Sequence, residues 1–284
     1  LLGGSKVIIS ASRRTDIPNY YSDWFFNRLK DGFVLVRNPM NIHQVSKITL
    51  TPDVMDCIVF WTKNPKPMLN RLNELSSYPY YFQFTLNAYG KDIEPNVPSK
   101  NDAVIPTFQK LSQKIGSDRV VWRYDPILIN STYTLDYHRR YFEEIAKRLS
   151  GYTKKCTISF IDEYRNITSN MKELHVQALD NAMMHEIACA LSEIAFRYGM
   201  KMDTCCENIN LLDLNIGHAK CIDGELIEKI TGFSLRAEKD KTQRPECGCV
   251  SSIDIGAYNT CRNGCKYCYA TFSQKTVESN CGLH

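Results

Sequence analysis

Apolar residues fall into short runs rich in β-branched and aromatic types, each closed by polar or turn-forming residues. Such runs predict strands at Val7–Ser10, Phe33–Val36, Val45–Leu50, Cys57–Trp61, Tyr80–Leu86, Val120–Tyr124, Cys156–Phe160, Lys201–Cys205 and Val250–Ile255. Between several of them apolar residues recur three and four positions apart, as on a helix with one buried face. That spacing predicts helices over Tyr21–Leu29, Met68–Leu75, Tyr137–Leu149 and Leu174–Tyr198, with Pro65 and Pro67 at the second start and Gly199 closing the last. Alternating strands and helices imply an α/β fold with a mostly parallel sheet, a full or partial (β/α) TIM-like barrel. Phe33–Leu50 reads instead as a hairpin insertion. Residues 206–249 show neither period and read as an irregular, Cys-rich cap. The chain thus divides into a barrel body (1–205), the cap (206–249) and a last strand with its following loop (250–284), all one structural unit.

Polar residues gather just after the strands. Ser12, Arg13, Arg14 and Asp16 follow the first run; Lys63 and Asn64 follow Trp61, and Asn87 follows Leu86. Arg123 and Asp125 close the sixth run, Asp162 the seventh, and Glu207 follows the eighth. In a barrel these ends open on one face, where the active site sits. Turns alone explain Asn and Asp there, but not Arg and Lys.

The 284 residues are 43% hydrophobic and 23% charged, an ordinary globular composition. No apolar run reaches the roughly eighteen residues of a membrane span, and residues 1–30 carry no signal-peptide pattern, so a cytoplasmic location is expected. Net charge is only +4, and Lys and Arg form no block, which does not favour nucleic acid. Cysteine changes the picture: there are twelve, six of them in the last 38 residues. In a long chain without an export signal, close cysteine spacing reads as metal or redox chemistry before disulfides.

The sharpest motif is Cys261-x3-Cys265-x2-Cys268, with Gly264 free to curl the loop and Tyr267 before the last Cys. Three thiolates on one loop suit an iron–sulfur cluster with one iron left for another ligand; a zinc site would need a fourth donor. Four further cysteines, Cys205 or Cys206 with Cys221, Cys247 and Cys249, suit a second centre, either an auxiliary four-iron cluster or structural zinc.

This loop resembles the signature of the radical S-adenosylmethionine (SAM) superfamily. Its C-terminal position is similar to that in an uncharacterised bacterial family, as are Ser12–Ile17, Phe60–Pro65, Phe84–Asn87, Trp122–Ile127, Thr204–Glu207, Lys220–Asp223 and Cys247–Cys249. The Thr62-Lys63-Asn64 and Arg123–Ile127 segments also resemble, distantly, spore photoproduct lyase. The resemblance implies a barrel circularly permuted relative to usual radical-SAM barrels, with Val250–Ile255 beside Val7–Ser10. It implies a [4Fe-4S] cluster on Cys261, Cys265 and Cys268 that cleaves SAM to a 5′-deoxyadenosyl radical, which abstracts hydrogen from a small polar substrate. A flavodoxin or ferredoxin would supply electrons. The Thr-Cys-x-Glu pattern prefers Cys205 to Cys206 in the auxiliary set. Ser12, Arg13, Arg14, Asp16, Asn64, Asn87 and Tyr267 become candidates for holding SAM, with Asp16 toward its ammonium and an Arg toward its carboxylate. Lys63, Arg123, Asp125, Asp162 and Glu207 become candidate catalytic residues. The rival readings are a zinc-stapled binding protein, perhaps for nucleic acid, and lesion repair like the lyase.

Overall fold

A computed structural model describes residues 6–162 and 164–282. Ten strands form: β1 (Val7–Ala11), β2 (Phe33–Asn38), β3 (Asn41–Thr49), β4 (Met55–Thr62), β5 (Tyr80–Thr85), β6 (Val120–Ile127), β7 (Lys155–Phe160), β8 (Lys201–Thr204), β9 (Gly217–His218) and β10 (Ile253–Asp254). All but two join one sheet in the order β10-β1-β4-β5-β6-β7-β8-β9, and every pairing in it is parallel. No ladder joins β9 to β10 among the described residues. The fold is therefore α/β around an eight-stranded parallel sheet. The last strand lies beside the first, with Ser10 opposite Asp254. β2 and β3 form a separate antiparallel hairpin, the expected insertion.

The α-helices among the described residues are α1 (Ile17–Tyr20), α2 (Ser22–Asp31), α3 (Ile105–Ile115), α4 (Leu135–Leu149), α5 (Thr168–Glu173), α6 (Asn181–Arg197), α7 (Gly224–Thr231) and α8 (Gln274–Cys281), and Lys66–Leu75 winds as a tighter 3-10 helix. Side chains of alternate strand residues separate two layers. Ile9, Phe60, Phe82, Trp122 and Ile158 pack against Phe25 and Phe26 of α2, Phe108 of α3, Phe142 of α4 and Leu191 of α6. The other face, Ile8, Cys57, Val59, Tyr81 and Val121, is covered by the cap residues Ala219, Cys221, Ile222, Ile227, Cys247 and Cys249. The cap is thus an ordered layer that carries β9 and α7, where an irregular segment was expected. Asp223 caps α7 by accepting from the Glu225 and Leu226 amides, a signal the apolar spacing does not carry.

The helix expected over Leu174–Tyr198 begins only at Asn181, and residues 174–180 are a non-helical link from α5. His175 adopts φ +50°, and the Gln177 amide donates to the Ile129 carbonyl at 2.8 Å, drawing the chain out of helix. α6 then starts afresh with the Asp180 carboxylate accepting from the Met183 amide. Among the described residues no helix is long and apolar enough to cross a membrane.

Candidate functional site

Because the strands are parallel, all their C-terminal ends meet on one side of the sheet, and a cavity of about 510 Å³ opens there. Its wall includes Ser12, Arg13, Arg14 and Asp16 after β1, Trp61 of β4 and Lys63 just after it, Arg123 and Asp125 from β6, and Asp162 after β7. Cys261 and Cys268 line it, and so do Cys205, Cys206, Cys221, Cys247 and Cys249. Two cysteine sets far apart in sequence therefore share one cavity.

The loop of the first set is clamped from three directions. Asp16, wholly buried, accepts from the Asn263 side chain at 3.1 Å, from the Lys63 amide at 2.8 Å and from the Asn19 amide that it caps at 3.2 Å. Burial pushes its carboxyl above the ordinary value despite these donors. Asp16 is thereby a latch between α1, β4 and the cysteine loop, with both oxygens committed. From the segment after β5, the Asn96 amide and side chain reach the Asn263 and Arg262 carbonyls, and the Ile93 carbonyl accepts from the Lys266 amide. After β7, Asn170 and Asn166 bond the carbonyls of Lys266 and Tyr269. Gly264 turns at φ +68°, where a Cβ would meet Pro95 and Asn96 at 3.2 Å.

Beneath this loop lies a charge network absent from the sequence reading. Glu94, 1% exposed, accepts from Lys63 Nζ at 2.8 Å and from Lys100 and Tyr267. Burial alone would raise its carboxyl, but the two ammonium groups lower it to about 2. Tyr267 is thus tied by its hydroxyl into the core, though its ring borders the cavity. Asn87 donates to Tyr267 and to the Asp125 carbonyl and accepts from the Asp125 amide.

Four sequence candidates fall outside the cavity wall: Cys265, which is buried in the loop between Cys261 and Cys268, and Asn87, Asn64 and Glu207. Asn87 is spent as this clasp between β5 and β6. Asn64 lies behind the latch, 3.5 Å from the Asn19 side chain. Glu207 accepts the Phe160 amide at 2.8 Å, finishing β7; burial first, then Asp162 and Asp125, raise it to about 7.

The second set gathers on one part of the cavity wall: Cys205 and Cys221 Sγ lie 3.2 Å apart, and Cys206, Cys247 and Cys249 line the same cavity. Cys206, set aside in the sequence, is among them. Arg123 donates to Cys221 Sγ at 2.9 Å and to Asp125. Hydrogen bonds from Cys205 and Cys249, then Arg123, hold the Cys221 thiol well below its ordinary value. Among the described residues no three donors converge on one metal-ion position. Soft sulfur donors with a guanidinium beside them are the donor type a thiophilic metal centre takes, whether iron–sulfur or zinc. Burial raises Cys261 and brings Cys265 to about 12, so metal binding to either displaces a proton.

At β1 and β10, the Asp254 carboxylate gathers Ser10, Ser12, the Arg13 amide and the Gly256 amide. A Cβ on Gly256 would lie 2.0 Å from Ser12 Oγ, so this join requires glycine. Arg14 stacks on Tyr258, and Asp162 pairs with Arg244 at 2.8 Å.

These features define an α/β protein with a cysteine-lined cavity at the ends of a parallel sheet. The chain belongs to the family described as a domain of unknown function, DUF1848, which matches residues 8–270. No curated protein matches it. Among solved structures it is similar to the pneumococcal virulence factor StrH at 10% identity, over 99% of this chain and 85% of that one, with a TM-score of 0.34. It is similar too to Rhizobium etli pyruvate carboxylase at 11% identity, over 80% of this chain and 25% of that one, with a TM-score of 0.32. Likenesses at these scores add nothing to the reading of the site.

Proposed function

We propose that this protein is a radical-SAM enzyme built on a partial, permuted (β/α) barrel, with Cys261, Cys265 and Cys268 holding a [4Fe-4S] cluster. The observation that carries the reading is the three-cysteine loop, clamped at the strand ends and opening on the same cavity as the strand-end polar residues. When bound, such a cluster supplies the electron that breaks a carbon–sulfur bond of SAM and so starts hydrogen abstraction from a substrate. The chain's own part is positional. Asp16 and Asn96 hold the loop; Glu94 neutralises Lys63 and anchors Tyr267; Cys205, Cys221, Cys247 and Cys249 hold a second, auxiliary centre beside Arg123. The polar wall of Arg13, Arg14, Asp125 and Asp162 suits a small charged substrate.

The test is iron and acid-labile sulfide on protein purified without oxygen, followed by reduction with SAM and detection of 5′-deoxyadenosine. About eight irons are expected for two cubanes, and Cys265→Ala is expected to abolish 5′-deoxyadenosine. Zinc without sulfide, and no SAM cleavage, would sink the reading and favour the zinc-stapled binding protein.

A further inference from the structure

Two nitrogen donors on the cavity wall are left unsatisfied, as is the hydroxyl of Thr15. Arg13 Nη2 and Trp61 Nε1 are both buried without a hydrogen-bond partner among the described residues. They are neighbours, for the Arg13 guanidinium stacks on the Trp61 ring at 5.4 Å. Trp61 also carries Arg123, at 5.1 Å, but that guanidinium is committed to Asp125 and Cys221.

The carboxylates that could answer Arg13 are occupied. Asp125 takes Arg123 and Ser159, and Asp162 takes Arg244 and Tyr164. Asp254 takes only the backbone amide of Arg13, along with three other donors. A buried donor without a partner costs about 1–3 kcal/mol, more when it is charged. Two such donors side by side on a cavity wall are matched by a ligand that accepts twice and carries negative charge.

We propose that Arg13 and Trp61 dock an oxyanion, a carboxylate or phosphate, of the substrate. The assignment to a substrate rests on the radical-SAM reading, because SAM carries a carboxylate of its own. Position separates the two. The Trp61 ring that carries Arg13 also carries Arg123, whose guanidinium donates to Cys221 Sγ at 2.9 Å. Arg13 thus stands on the side of the second cysteine set, while SAM must reach the loop of Cys261 and Cys268. The oxyanion is then that of the second reactant, held between the two cysteine sets.

The test is calorimetric titration of the anaerobically purified protein with inorganic phosphate, with acetate and, separately, with SAM. Arg13→Gln removes the charge, and Trp61→Phe removes only the N–H while keeping the ring. Binding of phosphate or acetate is expected to weaken about tenfold or more in Arg13→Gln, the loss of one charge-assisted hydrogen bond, and severalfold in Trp61→Phe. SAM affinity is expected to stay within about twofold in both variants, which also reports that they are folded. Failure of either probe to bind the wild type, or binding indifferent to both substitutions, overturns the site. SAM affinity falling in step with the anion overturns the assignment to the substrate. Anion binding through Arg13 in a protein that cleaves no SAM would keep the oxyanion site while removing the radical reading.

Discussion

Glu94→Gln isolates the charge at the centre of the network under the cysteine loop. The carboxylate is buried among Lys63, Lys100, Tyr267 and Asn87, and its amide counterpart has nearly the same shape. In the folded protein Glu94 sits at about 2 against an ordinary 4.5. That difference is worth about 3 kcal/mol of stability at neutral pH. The pair with Lys63 carries most of it, since Lys63 is raised by Glu94 whereas burial wins at Lys100 and lowers it. The carboxylate is depressed on folding, so its contribution is complete above about pH 4.5 and lost as pH falls toward 2. Urea unfolding at pH 7 is expected to show Glu94→Gln less stable by about 3 kcal/mol, with the gap closing at low pH. Adding Lys63→Met removes the stranded ammonium and is expected to recover a large part of the loss. A loss below about 1 kcal/mol, or one unchanged between pH 7 and 3, would refute the assignment of this network to charge pairing.

Three further outcomes are expected. Gly264→Ala places a side chain at φ +68° and 3.2 Å from Pro95, costing about 1–2 kcal/mol and lowering the iron retained by the first cysteine set; unchanged iron content would show that the loop does not need this turn. His138 is buried between the Tyr124 hydroxyl at 2.7 Å and the Leu128 carbonyl at 2.9 Å, and burial lowers it from 6.5 to about 4. The unfolded chain therefore takes up the proton first. Stability at pH 7 should fall by about 3 kcal/mol between pH 6.5 and 4, and His138→Gln should flatten that slope in urea titrations across the window. Of the two adjacent thiols, Cys205→Ser is expected to remove the metal of the second set while Cys206→Ser keeps it, because Cys205 is the one that meets Cys221 and Arg123; metal analysis showing the reverse would exchange their roles.

Strand positions were legible because each inward run is short, β-branched and closed by polar residues. The hairpin at 33–50 stands out by the same rule. Helices read less well. α3, with Ile105, Phe108 and Leu111 buried, escaped notice although Pro106 marks its start. The Leu174–Tyr198 spacing concealed a break made by His175 and by a contact to Ile129, a residue distant in sequence. At the site, the cysteines announced themselves by spacing, and the strand-end Arg, Lys and Asp residues by their charge. Glu94 and Trp61 did not, since one acid in a loop and one aromatic in a strand look ordinary until their neighbours are known.

The linear order of residues was enough to establish the alternating α/β pattern, the C-x3-C-x2-C loop and its place after a strand. Those features depend on neighbours within a few positions, where chain geometry is set by local sterics and apolar period. Only the tertiary structure decided that Asp16 is a latch, that Asn87, Asn64 and Glu207 stand behind the wall, and that Cys205 and four cap thiols gather on one cavity wall. It alone also leaves the donors of Arg13 and Trp61 facing a cavity without a partner. Each of these depends on which strand ends a parallel sheet brings together, and burial then fixes which polar groups are satisfied by protein and which wait for a ligand.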